Sequence, residues 1–279
     1  MRWAEITSTD EQKDRFESLS RELNDRGLRN SFHQLKVSGG DFSAALKEAM
    51  AEFDQIRLGS PFGREAVPSL SRQTSESSIL RSADCLVAEN KQLWWPRSAS
   101  LHGIKTLLNE LGQALDLSGS VLIVGNGALA RATAVAMVQL GFKNFQVTGR
   151  SKSRVEDMLS QLRQTFFGVH YAYVAPESLV RLPGDSSILV NTTPIVADNE
   201  LLPELSYLNF LRREGWVWDL ALNREETALL KEAGDLNLNR VSGYQLAAFS
   251  DAEWVRWCTG KKYLSHPDLR PVTKNVTPV

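Results

Sequence analysis

The stretch VLIVGNGALARATAVAMVQLGF, residues 121–142, constrains the fold of this chain more than any other. Val121 to Val124 read as a strand buried on both faces, and the alanine-rich run from Ala128 reads as a helix. Between them, Gly125-Asn126-Gly127-Ala128-Leu129-Ala130 has to turn the backbone sharply. Strand, glycine turn and helix in that order match the G-x-G-x-x-A dinucleotide fingerprint. Gly125 permits the tight turn, Gly127 lets the backbone approach a pyrophosphate, and Ala130 allows close helix–strand packing. The helix N-terminus then offers unsatisfied N–H donors and partial positive charge to the phosphates. The competing reading is a glycine turn that only packs a helix.

The flanking sequence supplies the rest of an α/β unit. LHGIKTLLNELGQAL precedes the turn as a helix, and NFQVTG, HYAYV, SSILVNTT and GWVWDLA follow as strands separated by helical patterns. Earlier in the chain, TDEQKDRFESLSRELNDRG is a helix with Phe16, Leu19 and Leu23 at helical spacing, and DFSAALKEAMAEF is a second. SFHQLKV, DQIRL, DCLVA and QLWW are strand candidates. GYQLAAFSDAEWVRWCTG is a long helix anchored by Leu246, Phe249, Trp254 and Trp257, and the tail from Lys261 looks loosely held. This alternation predicts an α/β fold with a largely parallel sheet.

The strand after the turn selects the nucleotide. About 25 residues beyond the first glycine, where an NAD site places Asp or Glu for the ribose hydroxyls, the chain has Thr148, Gly149, Arg150, Ser151, Lys152 and Arg154. A carboxylate there would repel a 2′-phosphate. Arg150 and Arg154 would pair with one, at about 1.5–3 kcal/mol for each charge-assisted hydrogen bond. Cations at a helix start oppose its macrodipole, and an anionic ligand accounts for them. NADP is the expected cofactor.

With these residues in view, the chain resembles the shikimate dehydrogenase family over nearly its whole length. The G-A-G-G-A-x-R turn of the family looks like Gly125 to Arg131, and its N-R-T-x-x-R clamp looks like Gly149-Arg150-Ser151-Lys152-Ser153-Arg154. Its N-A-T stretch resembles Asn191-Thr192-Thr193, and its D…T-x-L-L segment resembles Asp219 with Thr227, Leu229 and Leu230. Leu220 joins the cofactor-facing set on the same basis. The resemblance implies an N-terminal α/β substrate-type domain, residues 1–100 and 243–279, whose C-terminal helices return to it. A Rossmann-type NADP-binding domain, 101–242, lies between the two segments.

The substrate half departs from the family. Its N-V-T-x-P-x-K-E stretch aligns with Arg57 to Arg64 and puts Gly63 at the lysine that works with a distant aspartate at the hydroxyl being oxidised. Carried on without a gap, the spacing places the A-V-N-T asparagine at Asp84. The N-T-D-G motif falls on Ser98-Ala99-Ser100-Leu101, so the aspartate is Ser100. The glutamine of the last helix becomes Ser250, and the nearest match to the S-x-S motif is Ser8-Thr9-Asp10. A positioned acid–base group contributes about 10²–10⁴ in rate, and glycine contributes none. Arg64 stands beside the vacant lysine position, but a guanidinium is a poor base. Ordinary shikimate turnover is therefore not expected.

His102, two residues beyond Ser100, is the candidate replacement base, with His33 and Tyr244 as further candidates. Arg57, Gly63, Arg64, Asp84, Ser98, Ser100, Tyr244 and Ser250 are the candidate substrate pocket. A surface ion-pair cluster is the alternative reading of Arg57, Arg64 and Asp84. A net charge of −1 gives no reason to expect nucleic acid or a membrane as partner. Cys85 and Cys258 make neither a disulfide framework nor a metal site. No apolar run reaches the length of a bilayer span, and MRWAEITSTDEQKDRF lacks a signal-peptide core. A cytoplasmic protein acting on a small metabolite is expected, with a homodimer left open. Two classes remain: an NADP-dependent oxidoreductase with a rebuilt site, acting on a small polar or acidic metabolite, and a non-catalytic NADP(H)-binding sensor or structural protein.

Overall fold

The computed structural model describes residues 1–90, 93–194, 208–223 and 225–262. The described chain divides into two units, residues 1–102 with 251–262, and residues 103–250. The tail beyond Lys262, and the Gln92 end of the QLWW strand candidate, lie outside the described residues.

The first unit runs β1 (Arg2–Thr7), α1 (Lys13–Asp25), β2 (Ser31–Lys36), α2 (Phe42–Glu52), β3 (Gln55–Leu58), α3 (Phe62–Ser69), α4 (Ser75–Leu80), β4 (Cys85–Asn90) and β5 (Leu93–Arg97). The order in the sheet is β2-β1-β3-β4-β5; β1 pairs parallel with β2 and β3, while β4 and β5 are antiparallel. The sheet is thus mixed, because β4 and β5 are joined by a short connection that cannot make the crossover a parallel pair needs. β5 carries Pro96, which an edge strand tolerates.

Side-chain alternation along β1 builds two cores. Ala4 and Ile6 pack with Phe42 and Leu46 of α2 and Phe62, Ala66 and Val67 of α3. Trp3, on the opposite face, packs with Phe16, Leu19 and Leu23 of α1 and with Trp254 and Val255. The first strand was not apparent from sequence because Glu5, nearly fully buried, interrupts its apolar pattern.

The chain changes unit inside two helices, α5 (Ala99–Leu111) and, later, α9 (Gly243–Thr259). The second unit contains β6 (Ser120–Val124), α6 (Ala128–Leu140), β7 (Asn144–Thr148), α7 (Lys152–Thr165), β8 (His170–Tyr173), β9 (Ser186–Asn191), β10 (Leu211–Asp219), α8 (Ala228–Asp235) and β11 (Asn239–Ser242). Its sheet is ordered β11-β10-β9-β6-β7-β8, and every pair in it is parallel. Counted from β6 this is the 3-2-1-4-5-6 order of a doubly wound dinucleotide fold, with its switch point between β6 and β9. Leu122 and Val124 of β6, Leu189 of β9 and Val217 of β10 pack with Leu229, Leu230 and Ala233 of α8 on one face. Among the described residues no helix is long and apolar enough to cross a membrane, and no group of three His, Cys, Asp or Glu side chains is placed to hold a metal ion.

Candidate functional site

At the carboxyl edge of the second sheet, β6 is followed by Gly125 at φ 113°, a conformation that side chains avoid. A Cβ there would also collide with the Thr192 hydroxyl, which donates to the Val124 carbonyl at 2.8 Å and fills the switch point between β6 and β9. Gly127 differs. It is the extended N-cap of α6, gives the helix no side-chain cap, and a Cβ built on it meets no heavy atom within 4 Å. Nothing in the chain itself demands glycine at this point. The turn is a cradle that a side chain would fill, at the positive end of a helix.

Next to it, β7 leads to Arg150, Ser151, Lys152 and Arg154. Ser151 is the N-cap of α7 and accepts from the Arg154 backbone N–H at 3.5 Å. Arg150, Lys152 and Arg154 are exposed, and the Lys152 ammonium lies 5.6 Å from the centre of the Tyr173 ring. Three cations thus gather at one helix start, with no acidic residue in its first turn.

Asn191, assigned to the cofactor by sequence, is fully buried and spent on the chain. Its amide donates to Asp219 at 3.0 Å, and its oxygen accepts from the N–H of Thr193 at 3.1 Å and from the Thr193 hydroxyl at 2.7 Å. Asp219 in turn accepts from the Thr227 hydroxyl at 2.6 Å. This network fixes the ends of β9 and β10 to the start of α8. Leu220 is buried, and its N–H bonds the Asn191 carbonyl at 2.9 Å.

Gly63, Asp84, Ser98 and Ser100, substrate-pocket candidates of the first unit, are engaged with one another or with the backbone. A Cβ on Gly63 would be driven into the carbonyl oxygen of Ala83, and the Gly63 carbonyl accepts the Ala83 N–H at 3.0 Å. Asp84 caps α5. Its carboxylate accepts from the N–H groups of Ala99 and Ser100, both at 2.7 Å, and from the Ser98 hydroxyl at 3.4 Å. Glu76, which sequence reasoning missed, accepts from the Ser98 N–H at 2.6 Å, and its other oxygen meets His102 Nε2 at 2.9 Å. The His102 ring lies edge-on to Trp257, centroids 4.8 Å apart. Two residues on an α-helix lie about 200° apart, so His102 and Ser100 face different ways. Arg64 is exposed on α3.

Arg57 belongs to a row of register partners running across all five strands: Gln34, Glu5, Arg57, Cys85 and Arg97. Buried between the Phe16 and Trp254 rings, its guanidinium donates to Asp251 at 3.2 Å, and Asp251 also pairs with Arg15. Burial opposes the Arg57 charge, yet Asp251, Asp84 and Glu5 outweigh that and hold its pKa above the ordinary arginine value. Burial raises the pKa of Glu5, against a hydrogen bond from Gln34 at 3.1 Å and the charges of Arg57 and Arg15. Burial likewise puts Cys85 well above its usual range, which disfavours its thiolate. No compositional signal marks Glu5 or Asp251; strand register reveals the first, and the ion pairs with Arg57 and Arg15 reveal the second.

Ser250 and Tyr244 belong to the second unit. The Ser250 hydroxyl donates to the Leu246 carbonyl at 2.9 Å, and the residue packs so closely on Gly103 of α5 that a Cβ there would come within 2.8 Å of the Ser250 backbone nitrogen. Tyr244 is half-exposed at the start of α9.

No family model matches the chain. The NADP(+)-dependent shikimate dehydrogenase of Dictyoglomus turgidum is 26% identical over 196 residues, 70% of this chain and 68% of that protein. The chain is therefore similar to shikimate dehydrogenases in sequence. The fold agrees. The shikimate 5-dehydrogenase of Thermus thermophilus, solved in complex with shikimate, superposes with a TM-score of 0.78 at 21% identity, covering 94% of this chain and 93% of that one. The quinate dehydrogenase of Corynebacterium glutamicum, solved in complex with NAD, gives 0.82 at 19% identity and 94% coverage of both.

Proposed function

We propose that the protein binds NADP(H) and acts as an oxidoreductase on a small polar or acidic metabolite other than shikimate. The observation that carries the cofactor half is Gly127: open space over a glycine that the chain's own packing does not require, at a helix start that lacks a side-chain cap. The residues present fit the group. The turn from Gly125 to Ala130 and the N–H groups of α6 would take the pyrophosphate. Arg150, Ser151 and Arg154 would take the 2′-phosphate, which the absence of an acidic residue in the first turn of α7 favours over a ribose hydroxyl. The curated relative is itself NADP(+)-dependent. Bound NADP+ supplies a hydride acceptor. The protein must then hold the substrate hydroxyl and take its proton.

That second task supports the alternative reading, a protein that holds NADP(H) without turnover. Gly63 is walled by Ala83, Asp84 caps a helix, and Ser250 packs on Gly103, so none of these positions is free to repeat the family's chemistry. His102, paired with Glu76, is an imidazole candidate for that proton, with His33 the other that sequence named. Calorimetric titration with NADP+ and NAD+ tests the cofactor reading, and equal affinities would sink it. Following reduced-nicotinamide absorbance with shikimate, quinate and a panel of small hydroxy acids separates the two classes. Turnover of any of them would exclude the non-catalytic one.

A further inference from the structure

We infer that the Tyr244 ring forms a wall of the nicotinamide subsite, a role no motif assigns to it. The inference rests on the cofactor reading above. Along the carboxyl edge of the second sheet the strands run β7, β6, β9, β10, β11. Each is followed by a segment facing that edge: Arg150–Ser151 after β7, Gly125–Gly127 after β6, Thr192–Thr193 after β9, Leu220–Ala221 after β10 and Gly243–Tyr244 after β11. Strands lie about 4.8 Å apart, so β7 and β10 are separated by roughly 14 Å and β7 and β11 by roughly 19 Å. A dinucleotide with its 2′-phosphate at β7 and its pyrophosphate at β6 must send its other end over β9 and toward β10 and β11. The nicotinamide therefore comes to lie where α9 begins.

Three observations put an aromatic wall there. Gly243 is pressed onto the turn after β10: a Cβ on it would run into the Ala221 carbonyl and lie 2.7 Å from that of Leu220. The first turn of α9 is then locked by a reciprocal cap. The Ser242 N–H donates to Gln245 Oε1 at 2.8 Å, and the Gln245 N–H donates to the Ser242 hydroxyl at 3.3 Å. Tyr244, between these fixed points, remains 37% exposed. The other large apolar side chains exposed among the described residues are Leu117, Phe167, Val180 and Leu236, and each precedes a strand, away from the carboxyl edge. The exposed ring of Tyr244 is the exception, and it stands where a planar ring carrying positive charge in its oxidised form has to be held. An aromatic face suits that ring.

The experiment compares NADP+ with 2′-phospho-ADP-ribose, which keeps every other part of the cofactor and lacks nicotinamide. Titration calorimetry is run on the wild type, Tyr244→Phe and Tyr244→Ala, with circular dichroism as a check on folding. We expect Tyr244→Ala to weaken NADP+ by roughly three- to tenfold and to leave the fragment unchanged, with Tyr244→Phe matching the wild type for both. In the unmodified protein, nitration of Tyr244, mapped by mass spectrometry, should be slowed by NADP+ and not by the fragment, which tests the idea without any variant. Equal losses for both ligands, no loss for either, or nitration indifferent to NADP+ would overturn the inference while leaving the cofactor reading standing. If the wild type binds neither ligand, the cofactor reading fails and the inference fails with it.

Discussion

Gly127 and Gly63 both fall at positions that the resemblance to shikimate dehydrogenases singles out, and the chain treats them in opposite ways. At Gly127 an added Cβ meets nothing within 4 Å; at Gly63 it would be forced into the Ala83 carbonyl. The first glycine is not required by the protein's own packing, which leaves room there for a ligand. The second is fully explained by packing, so no ligand is needed to account for it. Asp84 and Ser250 behave like Gly63, since each spends its polar atoms on a backbone next to it. The glycine turn of the second unit has kept room. At the aligned substrate positions, the chain's own atoms have taken it up.

The comparison breaks first, and by the largest effect, at Gly63→Lys. A lysine at this site must displace backbone rather than a flexible side chain, so we expect a loss of about 3 kcal/mol or more in unfolding stability, or no folded protein at all. Urea unfolding followed by tryptophan fluorescence measures it. For the same reason, Gly63→Lys with Ser100→Asp should not restore shikimate oxidation. A stable Gly63→Lys protein that oxidises shikimate would mean that the position was vacant rather than closed.

Gly127→Asp should do the reverse. With open space around the Cβ, the unfolding midpoint should stay within experimental error of the wild type. A carboxylate beside the pyrophosphate would then cost several kcal/mol of NADP(H) affinity through like-charge repulsion. Calorimetry that finds wild-type affinity in a folded Gly127→Asp protein would move the phosphate site elsewhere. The third effect is smaller: Arg150→Ala should weaken NADP(H) by about 1.5–3 kcal/mol and leave NAD(H) little changed. The same titration reads it, and an equal loss for both cofactors would mean that Arg150 does not select the 2′-phosphate.

How legible each half was in the sequence follows from the same contrast. The second sheet could be read from buried apolar runs such as Val121–Val124 and from a glycine turn whose chemistry is local. The cations after β7 could be read too, because residues near in sequence stay near in space. The first unit hid its logic in register. Glu5, Arg57, Cys85 and Arg97 are neighbours because four strands align them, and spacing along the chain carries no trace of it. Glu76 and His102, 26 residues apart, meet because α4 is laid beside the start of α5. Asn191, which sequence assigns to the cofactor, ends β9, and its side chain binds Asp219 and Thr193. A motif match locates a residue and leaves the direction of its side chain undetermined.

The last and smallest effect tests the comparison where it is weakest. If the first unit were only packing, a buried carboxylate with a raised pKa would be an odd thing for it to keep. Glu5 is such a group, with desolvation outweighing the help it receives from Gln34, Arg57 and Arg15. Its proton is held more tightly in the folded chain than in the unfolded one. Whatever this group contributes to stability is therefore fully present below the ordinary glutamate value of 4.5 and is lost as pH rises through the folded pKa. Near neutral pH the charge is a net burden. Glu5→Gln keeps an oxygen to accept from Gln34 and removes the charge, so it should stabilise the protein at pH 7 by about 1 kcal/mol or less, with the gain vanishing below pH 4.5. Urea unfolding at pH 7 and pH 4 measures both arms. A gain at pH 7 with unchanged NADP+ affinity would mark Glu5 as a charge retained for something other than folding, and the first unit would then hold a candidate site after all. A loss at pH 7 would make Glu5 a structural counter-charge to Arg57 and Arg15, and the contrast between an open glycine turn and filled substrate-aligned positions would stand.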